Sequence, residues 1–251
     1  MSLVKIKEYP FLYETHLHTN QGSACSSNSG YEMAKAAHEA GYAGIFVTDH
    51  NWGGNTAVNR DLPWEQWVRE FEKGYLDAKR YGDEHDFDVF FGYEAGYGGP
   101  EFLIYGVDAE WMIAHPEIRG ASVSEQYRLI HEAGGMVIQA HPFREAWYID
   151  AVLLYPDDVD GAEAVNATHS NTKSQAHNKP EYDVKALQYA KENQLPMTAG
   201  SDIHSIHMFG GGVAFKRRLA SVADYCNAIL SGEDYVLTNG ELVYDKSGNI
   251  I

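Results

Sequence analysis

Cysteine is scarce in this sequence, whose 251 residues include only Cys25 and Cys226. Two cysteines make no disulfide framework, which excludes the small disulfide-stabilised secreted proteins and favours the reducing cytoplasm. Long apolar runs are missing as well, since no stretch approaches the roughly 20 residues that span a membrane. The N-terminal residues lack the apolar segment of a signal peptide. We therefore expect a cytoplasmic protein with no membrane partner.

The sequence is also poor in basic residues. The sequence has 19 Lys and Arg against 36 Asp and Glu, which gives a formal net charge of −17. Proteins that bind nucleic acid neutralise phosphates with a basic patch, and no such patch occurs here. We expect no nucleic-acid partner. The acidic balance suits a small-molecule site, with part of the negative charge balanced by divalent cations.

Apolar residues are plentiful enough for a large core, at 44% of the chain. The first elements read strand, helix, strand, which predicts an α/β fold with a parallel sheet. No repeat or linker divides the chain, so residues 1–251 are expected to form a single barrel-sized domain. Strands are predicted at 11–18, 43–48, 88–93, 101–107, 136–140, 161–165, 195–199, 235–238 and 242–244. Helices are predicted at 31–40, 63–81, 122–133, 180–193 and 222–230.

Residues that bind metals recur where the predicted strands end. His16 and His18 close the first strand, and alternate strand residues point to the same side, so both rings can face one ion. Four later strands end in the same residue types: Asp49 and His50, then Glu94, then His141, then Asp202 and His204. The C-terminal ends of strands in a parallel barrel open on one face, where these eight groups would converge.

So many imidazoles and carboxylates would be costly to desolvate together without a cation. Taken alone, each strand end is better explained by a turn, a helix cap or a solvated side chain than by a metal site. Their joint occurrence at five strand ends favours a metal site of zinc, iron or manganese. We interpret four further histidines, in predicted helices and polar connections, as structural or surface residues: His38, His85, His115 and His131.

The ordered set His-x-His, Asp-His, Glu, His-Pro and Gly-Ser-Asp-x-His resembles the PHP family, named for polymerase and histidinol phosphatase. The resemblance spans Tyr13 to His204. It implies a distorted (β/α)7 TIM-like barrel with two or three divalent metal ions at the C-terminal ends of the strands, and phosphoesterase activity. The family's metal ligands then correspond to His16, His18, Asp49, His50, Glu94, His141, Asp202 and His204.

Two positions depart from the family pattern or leave it open. Some members carry a further Asp or His in the loop after the first strand, where this chain has Ser23, Ala24 and Cys25. Another ligand usually lies between the His-Pro and Asp-x-His motifs, and Asn166 or His169 is the candidate here. A site with fewer than three metals would follow if neither residue reaches an ion.

The predicted chemistry is hydrolysis of a small-molecule phosphate mono- or diester by a metal-bound water. Glu94 and Asp202 are the candidate bridging ligands. Arg144 is a candidate phosphate clamp, with a surface arginine as the equally open alternative. His207 closely follows the last motif and is a candidate substrate contact. His169 and His177, beyond the strand at 161–166, are also candidates for a role in the site. No P-loop, nucleophile elbow or dinucleotide motif supports covalent or nucleotide-cofactor chemistry.

Two other functions stay open. One is a metal-dependent amidohydrolase-like hydrolase, which also begins with His-x-His on a barrel strand. That family bridges its metals with a carboxylated lysine, and no lysine ends a plausible strand in this sequence. The other is a non-catalytic regulatory module that binds metal. The sequence does not indicate an oligomeric state.

Overall fold

Ten strands form one sheet in the computed structural model, which describes residues 6–147, 149–174 and 176–251. In chain order they are β1 (Phe11–Leu17), β2 (Gly44–Val47), β3 (Asp88–Gly96), β4 (Glu101–Tyr105), β5 (Met136–Gln139), β6 (Gly161–Asn166), β7 (Met197–Gly200), β8 (Gly212–Phe215), β9 (Tyr235–Thr238) and β10 (Val243–Asp245). Across the sheet the order is β10-β9-β8-β1-β2-β3-β4-β5-β6-β7.

The sheet mixes parallel and antiparallel strands and curls. Strands β1, β2, β3, β5, β6 and β7 run in one direction, and β4 runs against its two neighbours. Leu17 bridges to Ile203, and the backbone N–H of His18 donates to the carbonyl of Ile203 at 2.9 Å. The segment after β7 thus closes onto the end of β1. The α/β prediction is confirmed, in the form of a curled sheet.

The helices are α1 (Gly30–Ala40), α2 (Trp64–Phe71), α3 (Lys73–His85), α4 (Ala109–Ala114), α5 (Val123–Glu132), α6 (Ala167–Ser170), α7 (Glu181–Glu192) and α8 (Val222–Leu230), with a short 3-10 helix at Pro116–Gly120. Ser29 and Glu32 form a capping box at the start of α1, and Gly41 ends that helix at a φ of 102°. No helix in the described part of the chain is both long enough and apolar enough to cross a membrane.

Some helices and strands differ from those predicted from the sequence. The predicted helix 63–81 is two helices, α2 and α3, which meet at Glu72. Their apolar faces pack in different clusters, that of α2 around Trp67 and Phe71 and that of α3 around Ala78 and Tyr81. The chain therefore has to turn between them. The short elements α4, α6 and β8 were not predicted, because four to six residues carry too little periodicity.

Both faces of the sheet are buried. Neighbouring residues of β2 illustrate this, because Phe46 belongs to a cluster that includes Tyr225 of α8, whereas Ile45 packs with Met33 of α1. With apolar groups covering both faces, only the strand ends are free to present polar side chains to a common opening. The candidate site lies there.

Candidate metal centre

His16 and His18 lie side by side where β1 ends. Both are fully buried, and their ring centroids are 5.1 Å apart. The carbonyl of His16 accepts the backbone N–H of Ile203 at 3.1 Å, next to the 2.9 Å bond to His18 described above. Because Ile203 lies between Asp202 and His204, this pairing brings the first and last motifs of the sequence together.

Glu94 is the carboxylate around which four of the predicted histidines gather. Its Oε1 lies 3.3 Å from Nε2 of His16 and 3.1 Å from Nε2 of His141. Its Oε2 lies 2.9 Å from Nδ1 of His50 and 3.5 Å from Nε2 of His18. Each oxygen therefore faces two imidazoles, which is the arrangement expected of a carboxylate shared between two ions.

Asp202 is the second buried carboxylate. Its Oδ1 lies 3.1 Å from Nε2 of His18 and 3.4 Å from Nε2 of His16, and its Oδ2 accepts a hydrogen bond from Nη1 of Arg144. The backbone of Asp202 has a φ of 52°, and that of His141 a φ of 27°. Positive φ costs a non-glycine residue about 1–3 kcal/mol, and such strain concentrates at functional sites.

Three buried polar atoms at this centre have no hydrogen-bond partner among the residues that the structure describes: Nε2 of His16, Nδ1 of His50 and Oε2 of Glu94. The 2.9 Å contact between His50 and Glu94 has the distance of an ion pair, yet neither atom makes a hydrogen bond. Buried polar atoms nearly always find a partner. Two buried polar atoms that lie this close without a hydrogen bond between them fit the role of two ligands to one cation.

Four sets of three side chains bring one potential ligand atom each to within 4.8 Å of one another among the described residues: His16, His18 and Glu94; His16, His141 and Asp202; His18, His50 and His204; and His50, Glu94 and Glu101. We call His16, Glu94, His141 and Asp202 the carboxylate-rich end, and His18, His50 and His204 the imidazole-rich end. Seven of the eight predicted ligands belong to these two ends.

The eighth, Asp49, is not brought into any of these sets. Its Oδ1 accepts the backbone N–H of Thr19 at 2.7 Å and the hydroxyl of Ser23 at 2.7 Å, and its Oδ2 accepts the hydroxyl of Thr19 at 2.7 Å. The same Ser23 hydroxyl lies 3.1 Å from Nδ1 of His18. Asp49 therefore contacts the site only indirectly, through the hydroxyl of Ser23. The side chain of the next residue, His50, faces the site directly.

Glu101 joins the site although no strand-end motif predicted it. Its Oε1 lies 3.8 Å from Nδ1 of His50, and its Oε2 lies 3.6 Å from Nε2 of His141. Glu101 begins the antiparallel strand β4, opposite Gly96 of β3. An antiparallel strand starts at the edge where its parallel neighbours end, so the first residue of the strand predicted at 101–107 was the signal.

Glu163 is a second residue that the sequence did not single out. Its Oε1 lies 3.0 Å from Nδ1 of His16, and its Oε2 accepts the backbone N–H of His141 at 3.1 Å. A carboxylate behind a metal-binding histidine fixes the ring and its tautomer. Asn166 donates its side-chain N–H to Glu163 at 3.0 Å, and its side-chain oxygen caps α6, so both ends of its amide are engaged.

Arg144 and His169 form a buried network beside Asp202. The Nε of Arg144 donates to Nε2 of His169 at 3.0 Å, and Nδ1 of His169 lies 2.8 Å from Oδ1 of Asp183. Both ring nitrogens of His169 are therefore engaged, and His169 is in none of the four sets. Arg144 is 4% exposed and is not a surface arginine.

Cys25 lies beside the imidazole-rich end. Its thiol is within hydrogen-bonding reach of the rings of His50 and His204. Burial raises the pKa of this thiol, but the hydrogen bonds to His204 and His50 and the charges of these two rings together lower the pKa to about 7. A lowered pKa increases the thiolate fraction, which is the form that binds metals.

The two histidines of the first motif have opposite pKa shifts. Burial alone lowers the pKa of His16, but the carboxylates of Glu163, Asp202 and Glu94 raise it well above its ordinary value. Burial also lowers the pKa of His18, and the neighbouring His50 and His204 lower it further. His16 thus sits in a negative environment, whereas His18 sits among imidazoles.

A cavity of about 590 Å³ opens onto this centre and is lined by members of both ends, by Arg144 and by His177. Five glycines also line it: Gly53, Gly54, Gly96, Gly98 and Gly99. His207 is exposed and lines a separate cavity of about 410 Å³. The structure therefore places His207 away from the candidate metal ligands.

A family model described as PHP-associated matches residues 181–233, a segment that contains Asp202. No sequence among the curated proteins is similar enough to count as a match. Several solved structures share the fold. A two-domain protein from Bacteroides vulgatus that contains a predicted PHP-like metal-dependent phosphoesterase has a TM-score of 0.68 at 15% identity, over 97% of this chain and 68% of that one.

The lesion-specific endonuclease PfuEndoQ from Pyrococcus furiosus has a TM-score of 0.58 at 13% identity, over 93% of this chain and 58% of that one. An amidohydrolase from Chromobacterium violaceum, with bound sulfate and no metal, has a TM-score of 0.50 at 15% identity, over 77% of this chain and 87% of that one. These identities make the likeness one of fold. The PHP-associated match and the shared fold support the resemblance of the ordered motifs to the PHP family.

Proposed function

We propose that this protein is a metal-dependent phosphoesterase that hydrolyses a small-molecule phosphate mono- or diester through a metal-activated water. The observation that carries the proposal is the set of buried, unpartnered atoms on His16, His50 and Glu94. Two or three divalent ions would satisfy them. Mixed imidazole and carboxylate ligands favour zinc, iron or manganese.

The carboxylate-rich end would hold one ion and the imidazole-rich end another, with Glu94 as the ligand common to both. Its two oxygens each face two imidazoles, which supports Glu94 as the bridge more strongly than Asp202, one oxygen of which accepts from Arg144. Glu101 is a further candidate ligand. Ions bound there would neutralise charge on phosphoryl oxygens and lower the pKa of water.

The protein's own part in the reaction is to orient these ligands and the substrate. Glu163 would hold the ring of His16, and Asp49 would hold His18 through Ser23. Arg144 lines the cavity with a buried guanidinium, and we assign it the role of binding a phosphate oxygen. The bound sulfate of the related amidohydrolase supports an oxyanion site in this fold.

A small substrate is favoured over nucleic acid by charge. The formal net charge is −17, and Arg144 is the single lysine or arginine among the described residues that line the cavity. One cation can bind one phosphate but not a polyanionic strand. The related lesion-specific endonuclease makes a nucleic-acid substrate the alternative that an assay has to include.

An amidohydrolase-like activity is the second candidate, favoured by the related amidohydrolase structure. Lysine is absent from the described residues that line the cavity, so a carboxylated lysine bridge has no candidate there. This absence favours the phosphoester over the amide.

We also propose that residues 1–251 form one domain, a distorted (β/α)7 barrel, in the cytoplasm. The bridge between Leu17 and Ile203 supports closure of the barrel at the end where the candidate ligands lie.

The test combines metal analysis with a substrate panel. Metal-stripped protein is supplied with manganese, zinc or iron and assayed on an aryl phosphate monoester, an aryl phosphate diester, an N-acyl amide and single-stranded DNA. We expect metal-dependent turnover of one of the two small esters, and its loss in Glu94→Gln. Bound metal without turnover of either ester would contradict the proposal and favour a non-catalytic module. Preferred turnover of the amide or the DNA would favour those alternatives.

A further inference from the structure

The imidazole-rich end lacks an anionic ligand of its own. Its three members, His18, His50 and His204, bring ligand atoms within 4.8 Å of one another, and their rings stack with centroids 4.4 Å and 4.5 Å apart. The imidazoles are neutral, and the carboxylate of Glu94 is shared with the ion at the other end, so the charge of a divalent ion here stays partly unbalanced. A further, negatively charged ligand would balance it.

Cys25 is held where that ligand is needed. Ala24 donates its backbone N–H to the carbonyl of Asn55 at 2.9 Å, and Ser27 donates to the carbonyl of His204 at 2.9 Å. Ser26 donates its hydroxyl to the carbonyl of His18 at 2.9 Å. Hydrogen bonds on either side of Cys25 thus attach its loop to the segments that carry two of the three histidines.

The side chain of Cys25 points into the shared cavity rather than away from it. It lines the same cavity as His50 and His204 and interacts with both rings. Its sulfur is in none of the four sets, so it would move closer to these rings to join an ion there. An independent observation points to a cation here: Oε2 of Glu94 is buried without a hydrogen-bond partner and faces both His18 and His50.

We propose that Cys25 is a thiolate ligand, beside His50 and His204, of the ion at the imidazole-rich end. On binding, the thiol proton is released to the solvent and a sulfur–metal bond forms, with no change of oxidation state. A thiolate with imidazoles selects zinc over manganese. The two ends would therefore differ in metal preference. The inference rests on the metal-binding part of the proposed function and not on the reaction.

Cobalt(II) provides the test, because it replaces zinc and reports a sulfur ligand through near-ultraviolet thiolate-to-cobalt absorption. Metal-stripped wild type is titrated with cobalt(II), and bound cobalt is measured in parallel. We expect this absorption in wild type and its loss in Cys25→Ser. The matched control is Cys226→Ser, since Cys226 is the chain's other cysteine and lies buried in α8. This control should keep the band.

The outcomes separate the inference from the proposed function. If wild type binds cobalt without thiolate absorption, or if Cys25→Ser keeps the band, the thiolate assignment is overturned while metal binding stands. If wild type binds no cobalt, both fail. If the band disappears only with Cys25, the assignment holds whatever the substrate is.

A second measurement does not depend on the spectrum. Native Cys25 is exposed and open to alkylation, whereas Cys226 is 2% exposed. Coordination consumes the sulfur's reactive electron pair, so saturating zinc should slow alkylation of Cys25 by about tenfold or more. Manganese should protect much less. Equal alkylation rates with and without zinc would overturn the assignment.

Discussion

The two histidines of the first motif belong to different ends of the candidate centre and differ in their electrostatic surroundings. At the carboxylate-rich end His16 is surrounded by Glu163, Asp202 and Glu94, which raise its pKa well above the ordinary value. At the imidazole-rich end burial and the rings of His50 and His204 lower the pKa of His18. The same His-x-His motif thus supplies one residue to each environment. The difference predicts two metal sites of unequal affinity and selectivity.

Glu94→Gln should have the largest effect, because Glu94 faces imidazoles of both ends. The amide keeps the shape but removes the charge that both sites share. We expect kcat/KM for the preferred ester to fall by about 10³-fold, the scale of several kcal/mol of lost charge stabilisation. Metal content should fall at both ends. Glu132→Gln, an exposed carboxylate in α5, is the control and should leave rate and metal content unchanged. Loss of metal from one end alone would refute the shared-ligand role.

Glu14→Gln should affect stability rather than chemistry. Burial raises the pKa of Glu14 from 4.5 to about 8, against the hydrogen bonds it accepts from Ser201 and His16. As pH rises from 4.5 to about 8, the unfolded chain releases this proton and the folded chain keeps it, so the free energy of unfolding falls. The variant cannot ionise there, so it should gain about a few kcal/mol over wild type by pH 8.

The measurement is urea unfolding of metal-free wild type and Glu14→Gln at a series of pH values across this range. The two proteins should differ least at the acid end and increasingly toward pH 8. A difference that does not change with pH would show that Glu14 is ionised in the folded protein.

Glu163→Gln tests the carboxylate-rich end alone. Glu163 contacts Nδ1 of His16 at 3.0 Å, and loss of such a supporting carboxylate costs about 10–100-fold in metal affinity or activity. In a metal titration, we expect the metal affinity to fall by this factor at the carboxylate-rich end only. The thiolate-to-cobalt absorption of the imidazole-rich end should be unchanged. A matching loss of that absorption would show that the two ends do not bind metal separately.

Asp49→Asn should have the smallest effect, at the imidazole-rich end. Asp49 acts on His18 through the Ser23 hydroxyl, and the amide oxygen can still accept that hydrogen bond. We expect a loss in metal affinity of less than about tenfold, and a larger loss in Asp49→Ala, which removes the acceptor. The measurement is cobalt affinity from the thiolate absorption. A loss as large as that of Glu94→Gln would identify Asp49 as a direct ligand.

The rule that metal-binding residues follow the C-terminal ends of strands identified seven of the eight residues that converge at this centre. The residues that this rule misplaced or missed have geometrical explanations. Asp49 and His50 are neighbours at one strand end, and sequence cannot tell which side chain faces the opening. Glu101 was missed because the rule assumes parallel strands and β4 is antiparallel. Glu163 was missed because it lies within β6, next to a break in register with β7.

The sequence by itself determined the α/β class, the order of the motifs and the residue types that bind metal. These depend on periodicity and side-chain chemistry, which are local. Only the tertiary structure decided which ligands share an end, because the contacts between His18 and Asp202 or between His16 and Glu163 join residues more than 140 positions apart. It also decided that Cys25 lies beside His50 and His204, since the curl of the sheet brings its loop to the end of β7.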